Sequence, residues 1–218
     1  MNKKMTDPLF IRLALVFSAF LCAASLKVSA QAFAEESWQE GLIILEEGDT
    51  LRGEFKFDLQ NELVQLQTQG SLKAFTSRKV LAFQFFDRYY GRDRFYFTLP
   101  YAKVSNYPTP TFFELVYQDQ PLTLLCRESL VTQTFVNNNP YVLGPNIPVT
   151  TTRVKCDFFF LDKNGRIRPF NGTKKGLLYL LKDREKDIKD FMEENRLRID
   201  DKADMTRIIA YYNERKRP

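Results

Sequence analysis

Two carboxylates with a pair of tyrosines between them are the residues of this chain best placed to do chemistry. Asp87 and Asp93 flank Tyr89-Tyr90-Gly91 in the run FDRYYGRDRF. Two acids held about 5 to 9.5 Å apart can cleave a glycosidic bond, one as general acid and the other as nucleophile or base. Adjacent tyrosines would offer such a substrate a ring platform. The same residues also make an ordinary charged hairpin turn, the acids being offset by Arg88, Arg92 and Arg94. Asp87 and Asp93 are therefore carried forward as the candidate catalytic pair of a histidine-free carboxylate hydrolase acting on glycans.

Other chemistry is limited by what is missing. The chain has no histidine, which removes Ser-His-Asp and Cys-His arrangements, histidine-containing zinc sites and the base best poised at neutral pH. Its three cysteines, Cys22, Cys126 and Cys156, show no C-x-x-C spacing, so neither a four-thiolate metal site nor a thioredoxin-like motif is expected. No Walker loop, G-x-S-x-G or dinucleotide fingerprint occurs. Asp162-Lys163-Asn164-Gly165 begins like a calcium loop but lacks the later ligands and the closing glutamate, and it is read as a turn. Asn171-Gly172-Thr173 fits a glycosylation sequon and is given no role. No metal and no cofactor are expected, and the missing groups weigh against an enzyme.

The first residues read as an export leader. Lys3, Lys4 and Arg12 precede the apolar run Leu13 to Leu26, and Val28-Ser29-Ala30-Gln31-Ala32-Phe33-Ala34 offers cleavage after 30, 32 or 34. The run of 14 residues is shorter than the about 20 needed to span a bilayer as a helix, and no later segment qualifies, so the mature chain is expected to have no transmembrane anchor. Cys22 follows Leu21 rather than a small residue, which argues against a lipoprotein. Loss of residues 1–34 takes the formal charge from +5 to +2, with 28 basic and 26 acidic residues left. A basic surface for nucleic acid is then not expected. The balance is uneven, −4 over 35–162 and +6 over 163–218.

Processing also leaves Cys126 and Cys156 as an even pair in an oxidising space. Bridged, they would close a loop worth about 3 to 4 kcal/mol in the chain-entropy model. Unbridged, they would pack as two small buried hydrophobes. Both readings stand at this point.

The elements that must position these residues are mainly strands. GLIIL, the turn Glu46-Glu47-Gly48-Asp49 and TLRGEFKFDL make a hairpin with Leu51, Phe55 and Phe57 toward a core. ELVQLQTQ sets Leu63, Gln65 and Gln67 against Val64, Leu66 and Thr68, the alternation of a half-buried strand. LKAFT, VLAFQFF, FYFTLPYA, FFELVYQ, LTLLCRE and RVKCDFFFLD continue the series, and Asn164-Gly165 turns a last hairpin. The expected fold is mainly β (α+β): a curved antiparallel sheet or small half-barrel over 35–172. Two stretches, 103–111 and 130–152, read as loops. The second is long for a compact domain, and Phe135, Tyr141, Val142, Leu143 and Ile147 mark it as the candidate binding loop.

After Thr173 the period becomes helical. Leu177, Leu178, Leu180 and Leu181, then Ile188, Phe191 and Met192, then Met205, Ile208, Ile209 and Tyr212 form apolar stripes. Two or three short helices over 173–218 are expected, the last capped by Asp200 or Asp201. Bases and acids interleave along them, which suits pairing on a solvated face better than a field for an anionic partner.

The run Leu45 to Asp58, with Asn61 just after it, resembles the first motif of Sm-like small barrels, and that resemblance implies a bent hairpin. The chain is also similar to a group of uncharacterised secreted bacterial β-rich proteins that begin with a G-x-I-x-L-x-x-G-D-T-L-x-G-like hairpin and end in charged helices, here Ile208-Ile209-Ala210-Tyr211-Tyr212-Asn213. This resemblance implies an exported protein, periplasmic or extracellular or peripheral to the outer membrane, and transfers no functional residues. The expected role is a non-enzymatic envelope interaction or structural protein, with an envelope protein or cell-surface polymer as partner. A carrier enclosing a lipid or other apolar ligand among the 20 phenylalanines is the alternative, ahead of the glycan hydrolase.

Overall fold

The computed structural model describes residues 38–68, 70–88, 90–103, 107–137 and 147–217. The expected leader over 1–34 lies outside the described residues, as do Tyr89, Tyr141, Val142 and Leu143.

Among the described residues, ten strands form one antiparallel sheet: β1 (Gln39–Leu45), β2 (Thr50–Asp58), β3 (Leu63–Thr68), β4 (Ser71–Thr76), β5 (Val80–Asp87), β6 (Arg92–Tyr101), β7 (Thr109–Tyr117), β8 (Leu122–Asn137), β9 (Ile147–Asp162) and β10 (Ile167–Pro169). Their order across the sheet is β10-β9-β8-β7-β6-β5-β1-β2-β3-β4, so the sheet is not closed, and β1 sits between β5 and β2. Three helices follow: α1 (Lys174–Leu180), α2 (Glu185–Glu194) and α3 (Lys202–Lys216). The mainly β half-barrel with short C-terminal helices is the fold the sequence predicts.

The sheet is rolled. In a flat sheet β2 and β7, four strands apart, would be separated by about 19 Å, yet the rings of Phe57 on β2 and Phe112 on β7 have centroids 5.7 Å apart, edge to face. Between them lie Phe83 and Tyr96, stacked at 4.5 Å. With Phe55, Phe85, Val64 and Leu66 these rings fill the inside of the curl. The packing inside the roll needs close approach to the backbone at β1. Gly41 pairs with Gly53, and the Phe55 ring lies over Gly41 where a Cβ would stand 2.1 Å from it.

A second core joins the sheet to the helices. Leu124, Cys126, Phe158 and Phe160 on β8 and β9 meet Leu177, Leu181, Ile188, Met192, Met205, Ile208 and Ile209. The alternate residues Leu125 and Phe159 point the other way and are buried with Phe113, which is why DFFFLD reads as a continuous apolar run rather than an alternating one. Thr173 and Asp201 cap α1 and α3 by accepting from Gly176 N and Asp204 N. Buried Asn213 ties α3 to the start of β8, accepting from Leu122 N at 3.1 Å and donating to Leu122 O at 2.7 Å.

The stretch 130–152, expected as a loop, is for the most part strand. β8 and β9 run in unbroken register from Leu122↔Asp162 to Asn137↔Ile147. Asn and Pro near the tip weigh toward a loop, but the flanks TQTFV and VTTTRV are β-branched and alternate, which suits a pleated ribbon.

Candidate functional site

The β8–β9 hairpin outruns its neighbours. β7 is registered against β8 only as far as Glu114↔Cys126, and β10 against β9 only at residues 159–161. From Ser129 to Asn137 and from Ile147 to Lys155 each strand has only the other as strand partner among the described residues. Nine residues of β8 beyond that point reach about 30 Å. Thr132 and Thr134 bond across to Thr152 and Thr150, hydroxyl to hydroxyl, at 3.2 Å each. Residues 129–152 carry no charged side chain at all, the longest such run in a chain that is 27% charged. Phe135, a candidate from the sequence, is 56% exposed on this ribbon. Ile147 opens β9.

The root of the ribbon is fixed at three points. Cys126 and Cys156 are bridged, with Cα atoms 5.9 Å apart, where the ribbon leaves the sheet. On one side of β8, Arg127 Nη2 meets Glu62 Oε1 at 2.6 Å, and Lys103 holds the other oxygen of Glu62. Burial opposes the charge of Glu62, but the hydrogen bond from Lys103 and the cation of Arg127 outweigh it and hold the carboxyl below its ordinary value.

On the other side lies a buried ionic cluster. Arg94 Nε and Nη2 donate to Glu114 Oε1 and Oε2 at 3.1 and 2.8 Å, the two-pronged fit a guanidinium makes with a carboxylate. Nη2 also meets Glu128 Oε2 at 2.6 Å, and Nη1 meets Asp87 Oδ2 at 3.2 Å. Lys202, in the first turn of α3, reaches Glu114 Oε2 at 2.6 Å and also binds Glu128. The Arg94 side chain is fully buried, against Phe85 and Tyr96. Burial disfavours its charge, yet Tyr96, Glu114 and Glu128 raise its proton affinity above the ordinary value. The cluster therefore pins Glu128, the last inward-facing residue of the ribbon root, to both the sheet and the helix.

The acids proposed from the sequence do not converge. Asp87 faces inward, spent on Arg94 and on the Tyr90 amide at 3.1 Å. Asp93 is the cross-strand partner of Phe86 and lies with it on the outer, exposed face of the hairpin. The two carboxylates point to opposite faces of the sheet, because residues six apart with a turn between them lie one register step apart here. Among the described residues, Glu114, Cys126 and Glu128 bring one possible ligand atom each within 4.8 Å of one another. The sulfur is already in the disulfide and the carboxylates are met by Arg94 and Lys202. Asp162 makes the plain turn expected of it, accepting from Asn164 N and Arg166 N.

A groove of about 450 Å³ runs beside the root, lined by Arg153, Lys155, Cys156, Asp157, Phe170, Asn171, Ile199 and Asp200. Asn171 of the sequon faces it and accepts from both the amide and the hydroxyl of Thr173.

Sequence reasoning missed Arg94, Glu114, Glu128 and Lys202 as a unit, since they come from three strands and a helix. The ribbon had a signal, the uncharged run 129–152. Set against family models, curated proteins and solved structures, the chain matches none of them.

Proposed function

We propose that this chain is a non-enzymatic interaction or structural protein of the cell envelope or exterior, and that the β8–β9 ribbon is its contact surface. One observation carries the reading: a long two-stranded ribbon, free of charge from Ser129 to Thr152, stands beyond the sheet while its root is held by a disulfide, a buried ionic cluster and a second ion pair. Proteins usually guard free strand edges with charges or proline because such edges pair with other chains. The β8 edge from Ser129 to Asn137 has neither guard, and mounted on a root held at three points it is suited to pairing. The Cys126–Cys156 bridge fits an oxidising compartment, in keeping with the leader at 1–34.

The carrier reading has less support, because Phe55, Phe57, Phe83, Tyr96 and Phe112 pack ring against ring inside the curl. The hydrolase reading has less support because Asp87 and Asp93 face apart.

The test is a pull-down from envelope fractions with the intact protein and with a variant in which residues 129–155 are replaced by a two-residue Asn-Gly turn, which keeps Glu128 opposite Cys156. A bound component recovered by the first and lost by the second is the expected result. Equal recovery by both, or none by either, sinks the reading.

A further inference from the structure

We infer that the free edge of β8 pairs with the same edge of a second copy of this chain. The inference rests on the ribbon being the contact surface and names its occupant.

The two edges of the ribbon are unlike. That of β9 carries Pro148, which has no N–H to offer, and the exposed cations Arg153 and Lys155, all common guards of a strand edge. From Ser129 to Asn137, β8 has neither proline nor charge. Beyond Cys126 it also has no strand on its β7 side among the described residues. Pairing is therefore open on β8 and discouraged on β9.

Absence of charge selects the partner. In a two-fold antiparallel pair, residue i faces j while j faces i, and the residue at the axis faces its own copy. Any charge near the axis would meet itself, and like charges directly opposite destabilise a strand pair. A self-pairing edge must therefore be neutral, whereas an edge evolved for a charged partner gains from complementary charges. Neutrality over 24 successive residues meets the first requirement and forgoes the second. Thr132 and Thr134 already bond to threonines across β9, and the same hydroxyl pairing is available across a β8–β8 seam. Insertion into a bilayer is disfavoured, because the open edges would leave backbone groups unpaired in hydrocarbon.

A seam built on one strand edge falls below about 1,200 Å², the small end of stable interfaces, so the dimer should dissociate on dilution. Sedimentation of the intact protein over a concentration series is expected to show a monomer–dimer equilibrium. With the axis at Gln133, where each of Thr132 and Thr134 faces the other in the copy, Thr132→Lys with Thr134→Lys sets like-charged side chains on Cβ atoms about 5 Å apart across the seam and should weaken the dimer at least about tenfold. Thr150→Lys with Thr152→Lys puts the charges on β9, about 14 Å from their copies and beyond the screening length at physiological salt, and should leave it unchanged. Hydrogen exchange provides a reading without substitutions: amides of Ser129 to Asn137 should gain protection as concentration rises.

A wild-type protein that stays monomeric throughout overturns the inference. So does a dimer that survives the β8 lysines, or one that the β9 lysines abolish equally. If the monomer still captures an envelope component through residues 129–155, self-pairing fails while the ribbon remains the contact surface.

Discussion

Cys126 and Cys156 are joined between β8 and β9 at the step where those strands lose their neighbours in the sheet, their Cα atoms 5.9 Å apart. The bridge clamps the root of the ribbon, fixing β8 to β9 where they leave the sheet. It also limits the unfolded chain, closing a loop with a sequence separation of 30. Replacing both residues, Cys126→Ala with Cys156→Ala, is expected to cost about 2 to 4 kcal/mol. Denaturant unfolding with and without a reductant checks this. Coincident midpoints for the wild type under the two conditions would show that the bridge contributes nothing.

Arg94 is the common partner of Asp87, Glu114 and Glu128. Arg94→Leu fills similar space but removes from three buried carboxylates the cation they share. A loss of about 3 to 5 kcal/mol is expected. Arg94→Lys keeps the charge but not the fork, and should fall between the two. Urea melts of the three proteins should rank in that order, and an Arg94→Leu protein as stable as wild type would rule out the cluster as an anchor.

Gly41 is required by its neighbours rather than by its backbone angles. A Cβ there would stand 2.1 Å from the Phe55 ring and 2.2 Å from the carbonyl oxygen of Gln84. The ring can turn, but the carbonyl belongs to the β1–β5 ladder and cannot. Gly41→Ala should therefore destabilise by about 1 to 3 kcal/mol or more through overpacking. At Gly48, by contrast, added space is free and only its positive φ opposes a side chain. A thermal melt of Gly41→Ala that matches the wild type would contradict the close approach.

Glu62 links acid pH to the ribbon root. Its folded-state carboxyl lies below the ordinary 4.5 because Lys103 and Arg127 outweigh the opposing effect of burial. A lowered folded value means that its contribution is fully present above the unfolded value and is lost as pH falls through the folded one. More than a third of the Glu62 side chain is exposed, so the contribution is about 1 kcal/mol or less. Below about pH 4.5 the wild type should lose stability more steeply than Glu62→Gln, and exchange of the amides next to Arg127 should quicken. Parallel acid limbs for the two proteins would show that the pairs with Arg127 and Lys103 do not matter.

Period and turn chemistry made the mainly β fold legible, with strands such as ELVQLQTQ, the Asn164-Gly165 turn and a cap at Asp200 or Asp201 read from residue order, the structure choosing Asp201. These signals are local: alternation, a glycine at positive φ and a side chain three residues from the amide it accepts from all lie within one short segment. The neutral run 129–152 was equally visible, yet its Asn and Pro residues drew it toward a loop. Only the register from Asn137↔Ile147 inward makes it a ribbon. The roll that puts Phe57 on Phe112, the bridging of Cys126 to Cys156, and the meeting of Arg94 with Glu128 and Lys202 were decided by the tertiary structure alone. Each depends on strand order, register or sheet curvature, which arise from contacts between segments distant in the chain and leave no mark in the spacing of neighbouring residues.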